Sequence, residues 1–373
     1  MLRKAASAID WILIGAVSLI MVFGLVTMYS FTGADSFFVK QIVWCVLGIT
    51  LIIGMSFIDL GFLKDSKALF GLFIFGNIVL ISLFVIGDVV NGAQSWINLG
   101  PISLQPSDLV KVILILVLAK YFSRRHVAIG NLRHIIVSGI YLFIPFALVL
   151  MQPDSGSALV LGAIWFGMIL VSGINKKHLF ALIGLGLVMS FAVWMFLLKP
   201  YQKARIVSFI HPLEDIQGAG YNAYQSTVAV GSGQFLGKGV GYGTQSRLNF
   251  LPEYQTDFIF AAFAEEWGFV GSLMAVLAFG VIIWRILRMS ILGASNFETL
   301  AGVGVVMFFM VHIIVNIGMN IGIMPITGIP LPFMSYGGSH IIAECLALGI
   351  LVSMSRYARR THRGDLENEF VGM

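Results

Sequence analysis

Leu251-Pro252-Glu253-Tyr254-Gln255-Thr256-Asp257-Phe258-Ile259-Phe260 marks the point where this sequence passes from a polar to an apolar medium. Upstream lie 59 mostly polar residues, Lys199 to Asp257, rich in glycine and carrying both signs of charge. Downstream, an apolar run continues to residue 284. The rest of the chain alternates between apolar rods and short connectors, so the long polar stretch is the place to look for chemistry.

Working outward, hydrophobic residues make up 58% of the 373 and charged residues 11%, with a mean hydropathy of +0.93. A soluble domain carries about a quarter of its residues charged, so the composition reads as an all-α polytopic membrane protein. About 20 apolar residues cross a bilayer as a helix. Ten such runs are found, near 11–31, 37–58, 68–87, 108–122, 134–151, 158–172, 179–198, 258–284, 299–323 and 338–355. Two of them, 108–122 and 158–172, are short, as expected of a tilted helix or one that starts inside a polar vestibule. Residues 1–373 thus read as a single transmembrane domain, with 199–257 as a large loop between helices 7 and 8.

Basic residues of short loops stay on the cytoplasmic side. With the N-terminus inside, 16 of the 23 Lys and Arg fall on that side. Both termini are then cytoplasmic and the large loop is extracytoplasmic. The net charge of +5 follows from this topology and from attraction to anionic headgroups, and needs no nucleic acid. No small-residue cleavage site follows the first apolar run, which reads as a span rather than a signal peptide. Cys45 and Cys345 fall in apolar segments without metal-ligand spacing and read as buried free thiols.

On this topology the polar motifs share one membrane face. They are Asn91–Lys111, Gln152–Ser157, the 199–257 loop and Gly328–Ser339. Gln105-Pro106-Ser107-Asp108 has the chemistry of a helix start. Asp108 and Lys111 are three apart, hence on one helix face, either as a structural ion pair or with Lys111 offered to a phosphate. Asp154, between Pro153 and Gly156, reads as a turn or N-cap aspartate; the functional alternative is a ligand to a divalent ion such as Mg or Mn. Glycines at 231, 233, 237, 239, 241 and 243 allow close backbone approach. With Arg205 and Lys238 nearby, they could present N–H groups to an anionic headgroup.

Asp257 opens the eighth span. A helix N-terminus favours its ionised form, while partial desolvation pushes it toward the range useful for a general base; a plain helix cap is the alternative. Glu265 and Glu266 lie about two turns deeper, where carboxylates are costly, and helical spacing sets neither on the face of Asp257. His312 and Glu344 read as interhelical hydrogen-bonding residues.

Taken together, Gly220-Tyr221, Gln225-Ser226, Gly231-Ser232-Gly233, Gly237-Lys238-Gly239, Gly243-Thr244-Gln245 and Leu251-Pro252-Glu253 through Glu265-Glu266-Trp267-Gly268 resemble the SEDS family (shape, elongation, division and sporulation). So do Gln105-Pro106-Ser107, Gln152-Pro153-Asp154, Pro330-Leu331-Pro332-Phe333 and Ser335-Tyr336-Gly337-Gly338-Ser339, and the match runs over essentially the whole chain. Gly243-Thr244-Gln245-Ser246 is more similar to the rod-shape-determining branch than to the division branch. The sequence departs from the family at Asp108, where Glu is usual, at Ser95, where Arg is common, and at His340, where a small hydroxyl residue is frequent.

The resemblance implies a ten-helix peptidoglycan glycosyltransferase that polymerises lipid II on the outer face of the bacterial cytoplasmic membrane during elongation. It implies a class B penicillin-binding protein as partner, alongside other elongation-complex membrane proteins and membrane lipid. Asp257 corresponds to the family's essential loop aspartate. As general base it would take the proton of a sugar 4-hydroxyl as that oxygen attacks the anomeric carbon of the growing strand. Lys111, Arg205 and Lys238 would face the leaving diphosphate, with Asp108, Glu253, Gln225 and Ser335 as further substrate contacts. No organic cofactor is implied. Three alternatives remain open: a lipid II flippase, a scaffold that only recruits the crosslinking enzyme, and the division-specific role within the same family.

Overall fold

Aspartates placed immediately before apolar runs set where several helices begin. Asp10 Oδ1 accepts from Leu13 N at 3.1 Å, Asp35 Oδ1 from Phe38 N at 2.8 Å, and Asp65 Oδ1 from Lys67 N at 3.2 Å. Each satisfies an N–H that the first turn of a helix leaves without a partner. The helices they start are α1 (Trp11–Thr32), α2 (Ser36–Met55) and α3 (Ser66–Ile86). The structure is a computed structural model that describes residues 10–33, 35–90, 93–98, 100, 103–124, 132–196, 198–210, 220–248, 250–251 and 253–371.

The chain continues through α4 (Pro106–Ser123), α5 (Leu132–Met151), α6 (Ser155–Val171) and α7 (Lys176–Phe196). Three short helices follow, α8 (Pro200–Ile210), α9 (Tyr221–Ser232) and α10 (Thr244–Arg247). The last three are long: α11 (Ile259–Ile291), α12 (Asn296–Asn320) and α13 (Gly338–Val371). Ten helices therefore stand where the ten apolar runs placed them. Eight are long and apolar enough to cross a membrane. The other two are the runs read as short: α6, with 17 residues, and α4, which carries Asp108, Lys111 and Lys120.

α12 sits at the centre, packed against α4, α6 and α11, while α13 lies along α2. Within a bilayer such contacts rest on close packing and hydrogen bonds rather than on escape from water. Arg285 of α11 pairs with Asp10, tying that helix to the start of α1. By contrast, no side chain of α7 is fully buried, though Leu182 packs against the core. Cys45 and Cys345 are buried and free.

The polar connectors are more structured than an all-helical reading provides for. Three short antiparallel strands, β1 (Asp88–Val90), β2 (Ala93–Asn98) and β3 (Ser103–Leu104), form a small sheet in the order β1-β2-β3 between α3 and α4. Asp88 stands opposite Trp96, and Ile97 opposite Leu104.

The glycine-rich stretch folds back onto a break in α11. At Gly268 the backbone adopts φ 66° and ψ −162°, a region essentially open to glycine alone. The peptide groups that this break releases are taken up by the loop. Lys238 N donates to Glu265 O and Gly239 N to Glu266 O, each at 3.0 Å, while Phe269 N donates to Gln234 O at 2.9 Å and Val270 N to Phe235 O at 3.1 Å. Non-helical backbone at membrane depth is tolerated where protein satisfies it in this way.

Candidate active site

Four connectors meet at one end of the bundle and enclose a cavity of about 380 Å³. Asp257, Glu253, Asp154, Gln105, Trp96 and His340 are among its walls, with Gln202 of α8 and Tyr336 also lining it. It thus gathers parts of all four polar motifs. Three carboxylates line it, and no Lys or Arg does among the described residues. Burial raises the Tyr336 phenol above its ordinary value, and the Asp35 carboxylate adds to the shift, so that hydroxyl stays neutral and able to donate.

Asp257 is not a helix cap. α11 starts at Ile259 with Phe258 in the cap position, which leaves Asp257 one residue outside it in a turn. Glu253 anchors that turn with a positive φ of 52°, and its carbonyl accepts from Thr256 N at 3.1 Å and Phe258 N at 3.2 Å. Two helix-borne amides fix the Asp257 backbone: Asn316 Nδ2 donates to its carbonyl at 3.0 Å and Asn320 Nδ2 at 3.1 Å. From the other side Tyr336 N donates to Gln255 O at 2.8 Å, and Ser335 Oγ to Thr256 O at 2.7 Å. The half-buried side chain lies along the cavity wall beside Gly328, where an added Cβ would stand 3.5 Å from Asp257 Oδ2.

Asp154 behaves as the turn reading expects. Its Oδ1 accepts from Ser157 N at 2.9 Å, capping α6, and its Oδ2 accepts from Gln105 Nε2 at 3.0 Å. Each oxygen is thus engaged within the chain, and among the described residues no group of three metal-ligating side chains is found, so the role that the geometry supports for Asp154 is the cap.

Lys111 and Asp108 are buried beneath the cavity rather than open to it. Lys111 Nζ donates to Asp108 Oδ1 at 2.9 Å, so the shorter carboxylate still reaches its partner. His340 bridges this pair and the cavity. Its Nδ1 lies 3.6 Å from Asp108 Oδ1 and its Nε2 2.7 Å from Glu344 Oε1, while its ring meets that of His312 at a 32° tilt with centroids 4.8 Å apart. Glu344 Oε2 accepts from Phe333 N at 2.9 Å, and His312 Nδ1 donates to Pro330 O at 3.1 Å, so both are hydrogen-bonded as expected, but to the connector between α12 and α13 rather than to another helix.

Lys238 does not line the cavity. Its ammonium lies 2.7 Å from Glu265 Oε1, which also accepts from Thr244 N at 2.8 Å and Gln245 N at 3.1 Å. Gly241 N donates to Glu266 Oε1 at 2.6 Å. The oxygens that the glycine-rich loop cradles are therefore those of the chain's own two membrane carboxyl groups, Glu265 and Glu266, rather than a headgroup's. This explains why two acids are tolerated inside an apolar helix. Ser335 is likewise used internally, since its buried hydroxyl accepts from Leu331 N at 2.8 Å in addition to its bond to Thr256. Gln225 lies on α9, half-buried and outside the cavity lining. Arg205 lies on α8, three residues beyond the cavity-lining Gln202, with its side chain outside the described residues.

Sequence reasoning missed Asn316, Asn320 and Gln41. Gln41 of α2 donates from Nε2 to Ser335 O at 2.9 Å and accepts from Gly337 N at 3.3 Å, steadying the loop opposite Asp257. The legible signal was the pair of asparagines four apart in an apolar helix, which places both on one face.

The family model of the FtsW, RodA and SpoVE cell cycle proteins matches residues 5–360. Stage V sporulation protein E of Bacillus subtilis (strain 168) is 34% identical over 360 residues, covering 94% of this chain and 98% of that protein. The peptidoglycan glycosyltransferase MrdB of Escherichia coli (strain K12) is 36% identical over 296 residues, 78% of this chain and 77% of that one. Among solved structures, a chain of a peptidoglycan synthase complex superposes with a TM-score of 0.81 at 29% identity, covering 94% of this chain and 98% of its own. The rod shape determining protein RodA of Thermus thermophilus superposes with a TM-score of 0.70 at 28% identity, over 93% of this chain and 96% of its own. With the family pattern running from residue 5 to residue 360, the chain belongs to the FtsW/RodA/SpoVE family of cell cycle proteins.

Proposed function

We propose that this chain is a peptidoglycan glycosyltransferase that joins lipid II units into glycan strands, with Asp257 as its general base. The observation that carries this reading is the position of Asp257. Its backbone is held by Asn316 and Asn320, and its side chain lies along a cavity instead of capping its own helix. A sugar hydroxyl is far too weak an acid to ionise beforehand, so its proton leaves as its oxygen attacks. General-base assistance of this kind contributes roughly 10²–10⁴-fold. In the proposed step the 4-hydroxyl oxygen bonds to the anomeric carbon of the growing strand, Asp257 takes the proton, and the bond to the polyprenyl diphosphate breaks with inversion.

The leaving diphosphate needs positive charge or N–H donors. Lys111 and Lys238 are committed to Asp108 and Glu265, and the ring nitrogens of His340 face Asp108 and Glu344, so that contact passes to Arg205 near Gln202. No step runs through a metal. The relatives include a stage V sporulation protein E, a probable peptidoglycan glycosyltransferase FtsW and the peptidoglycan glycosyltransferase MrdB, which do not separate the family's branches. The Gly243–Ser246 run supports the elongation branch, with the active face extracytoplasmic and both termini in the cytoplasm. A class B penicillin-binding protein is the proposed partner, in keeping with the synthase complex that the fold resembles.

The rival is a lipid II flippase. Transport sites lie near the midplane, reachable from both faces, whereas this cavity lies at one end of the helices. Purified protein in liposomes, with and without its crosslinking partner, is given labelled lipid II. Glycan strands on gels support the reading; lipid translocation without any polymer overturns it.

A further inference from the structure

A second pocket lies at the opposite end of α4 from the Asp257 cavity. Gln105, before the helix, lines the cavity, and Lys120 lines the pocket; fifteen residues at about 1.5 Å each put them roughly 22 Å apart. The pocket encloses about 210 Å³ between α3, α4 and α5. Its polar rim is Ser66, Lys120, Arg124 and the hydroxyl-bearing Tyr121 and Tyr141, and its floor is Leu69, Phe70 and Val117.

The charge around it is unbalanced. Lys64, at the same corner, is paired with Glu298 at 2.8 Å, and Asp65 is occupied in capping α3. The Lys120 ammonium donates to the Lys64 carbonyl, a neutral acceptor, and exposed Arg124 has no carboxylate partner among the described residues. The Asp65 carboxylate also acts on Lys120, so Lys120 and Arg124 flank the mouth with one positive charge in excess. Tyr121 is tied to His134 Nδ1 at 3.0 Å. Tyr141 is held by its ring, against Phe73 at 5.6 Å and Tyr121 at 5.8 Å between centroids. The floor leads out along Phe70 and Ile74, 54% and 44% exposed on α3, on a helix apolar enough to cross a membrane. Cations and tyrosines above an apolar floor at a helix end match the headgroup level of a bilayer, and basic pockets between transmembrane helices bind lipid phosphates.

We propose that this pocket holds the phosphate of an anionic glycerophospholipid between Lys120 and Arg124, with one acyl chain running down past Phe70 and Val117. Arg124 supplies a forked donor suited to phosphate oxygens, and Tyr141 adds a hydroxyl. The floor distinguishes a lipid from a soluble phosphate, which would gain nothing from it. This site is independent of the polymerisation chemistry, so the two readings fail separately.

The test uses full-length protein, delipidated in detergent and titrated by native mass spectrometry with phosphatidylglycerol, phosphatidylcholine or glycerol 3-phosphate. One tightly retained phosphatidylglycerol is expected. Arg124→Gln combined with Tyr141→Phe, which keeps the ring, should weaken it about tenfold, the scale of one lost charged hydrogen bond. Arg124→Glu, on an exposed side chain, should abolish retention outright. Equal retention of phosphatidylcholine, equal binding by both variants, or glycerol 3-phosphate binding as tightly as the lipid would each overturn the proposal.

Discussion

Asn320 grips both sides of the chain's entry into α11: its Nδ2 donates to the Asp257 carbonyl at 3.1 Å, and its Oδ1 accepts from Ala261 N at 3.2 Å. Asn316, one turn away on α12, donates to the same Asp257 carbonyl and to Ile329 O at 2.8 Å. The candidate base is therefore positioned by the central helix, not by its own loop. Asn320→Ala strips partners from buried groups, which costs about 1–3 kcal/mol. It should cut polymerisation about tenfold or more with lipid II affinity little changed. Separate kcat and KM measurements on gel-quantified strands, alongside size-exclusion profiles, check this.

Lys238 offers a clear contrast between roles. As the partner of Glu265 it holds the loop in the α11 break, so Lys238→Met and Glu265→Gln should both lower the thermal midpoint. Each loses a charged hydrogen bond worth about 1.5–3 kcal/mol. A diphosphate contact would instead raise KM for lipid II at unchanged stability. Thermal unfolding in detergent, read beside KM, distinguishes the two.

Gly268→Ala should be poorly tolerated. Its φ of 66° and ψ of −162° cost a side-chain-bearing residue about 1–3 kcal/mol. An added Cβ would also come within 2.7 Å of the Leu236 carbonyl carbon and 2.8 Å of Phe235 O. The expected outcome is loss of monodisperse protein on solubilisation, while Gly280→Ala in the same helix, which has open space, behaves as wild type.

His340→Ser restores the small hydroxyl common in the family and removes the ring between Asp108 and Glu344. Two buried carboxylates are then left facing the Lys111 ammonium, and breaking a buried pair in this way costs several kcal/mol. Adding Glu344→Gln should recover much of the loss, because the amide oxygen can still accept from Phe333 N. A double-mutant cycle on thermal stability measures the coupling; simple additivity would contradict it.

Much of this architecture is legible in the residues. Ten apolar runs become ten helices, and aspartates before several of them become caps. The convergence of the Gln105, Asp154, Asp257 and Tyr336 regions follows from assigning their connectors to one face. What sequence spacing does not carry is tertiary pairing. Nothing local says that Gly241 N and Thr244 N will meet Glu266 and Glu265, because the break at Gly268 that admits the loop looks like any glycine in an apolar helix. Lys111 found in Asp108 the ion pair that their spacing offers, but Lys238 was singled out by charge alone, and charge in a low-dielectric setting first seeks its own counter-ion, here Glu265.

The most direct measurement is glycan-strand synthesis from labelled lipid II by Asp257→Asn, with its oligomeric profile and partner binding measured on the same preparation. The substitution keeps size and shape but cannot take up the sugar's proton. The account predicts an intact, partner-binding protein whose polymer yield falls by at least about 100-fold. Strand synthesis at the wild-type rate would contradict it.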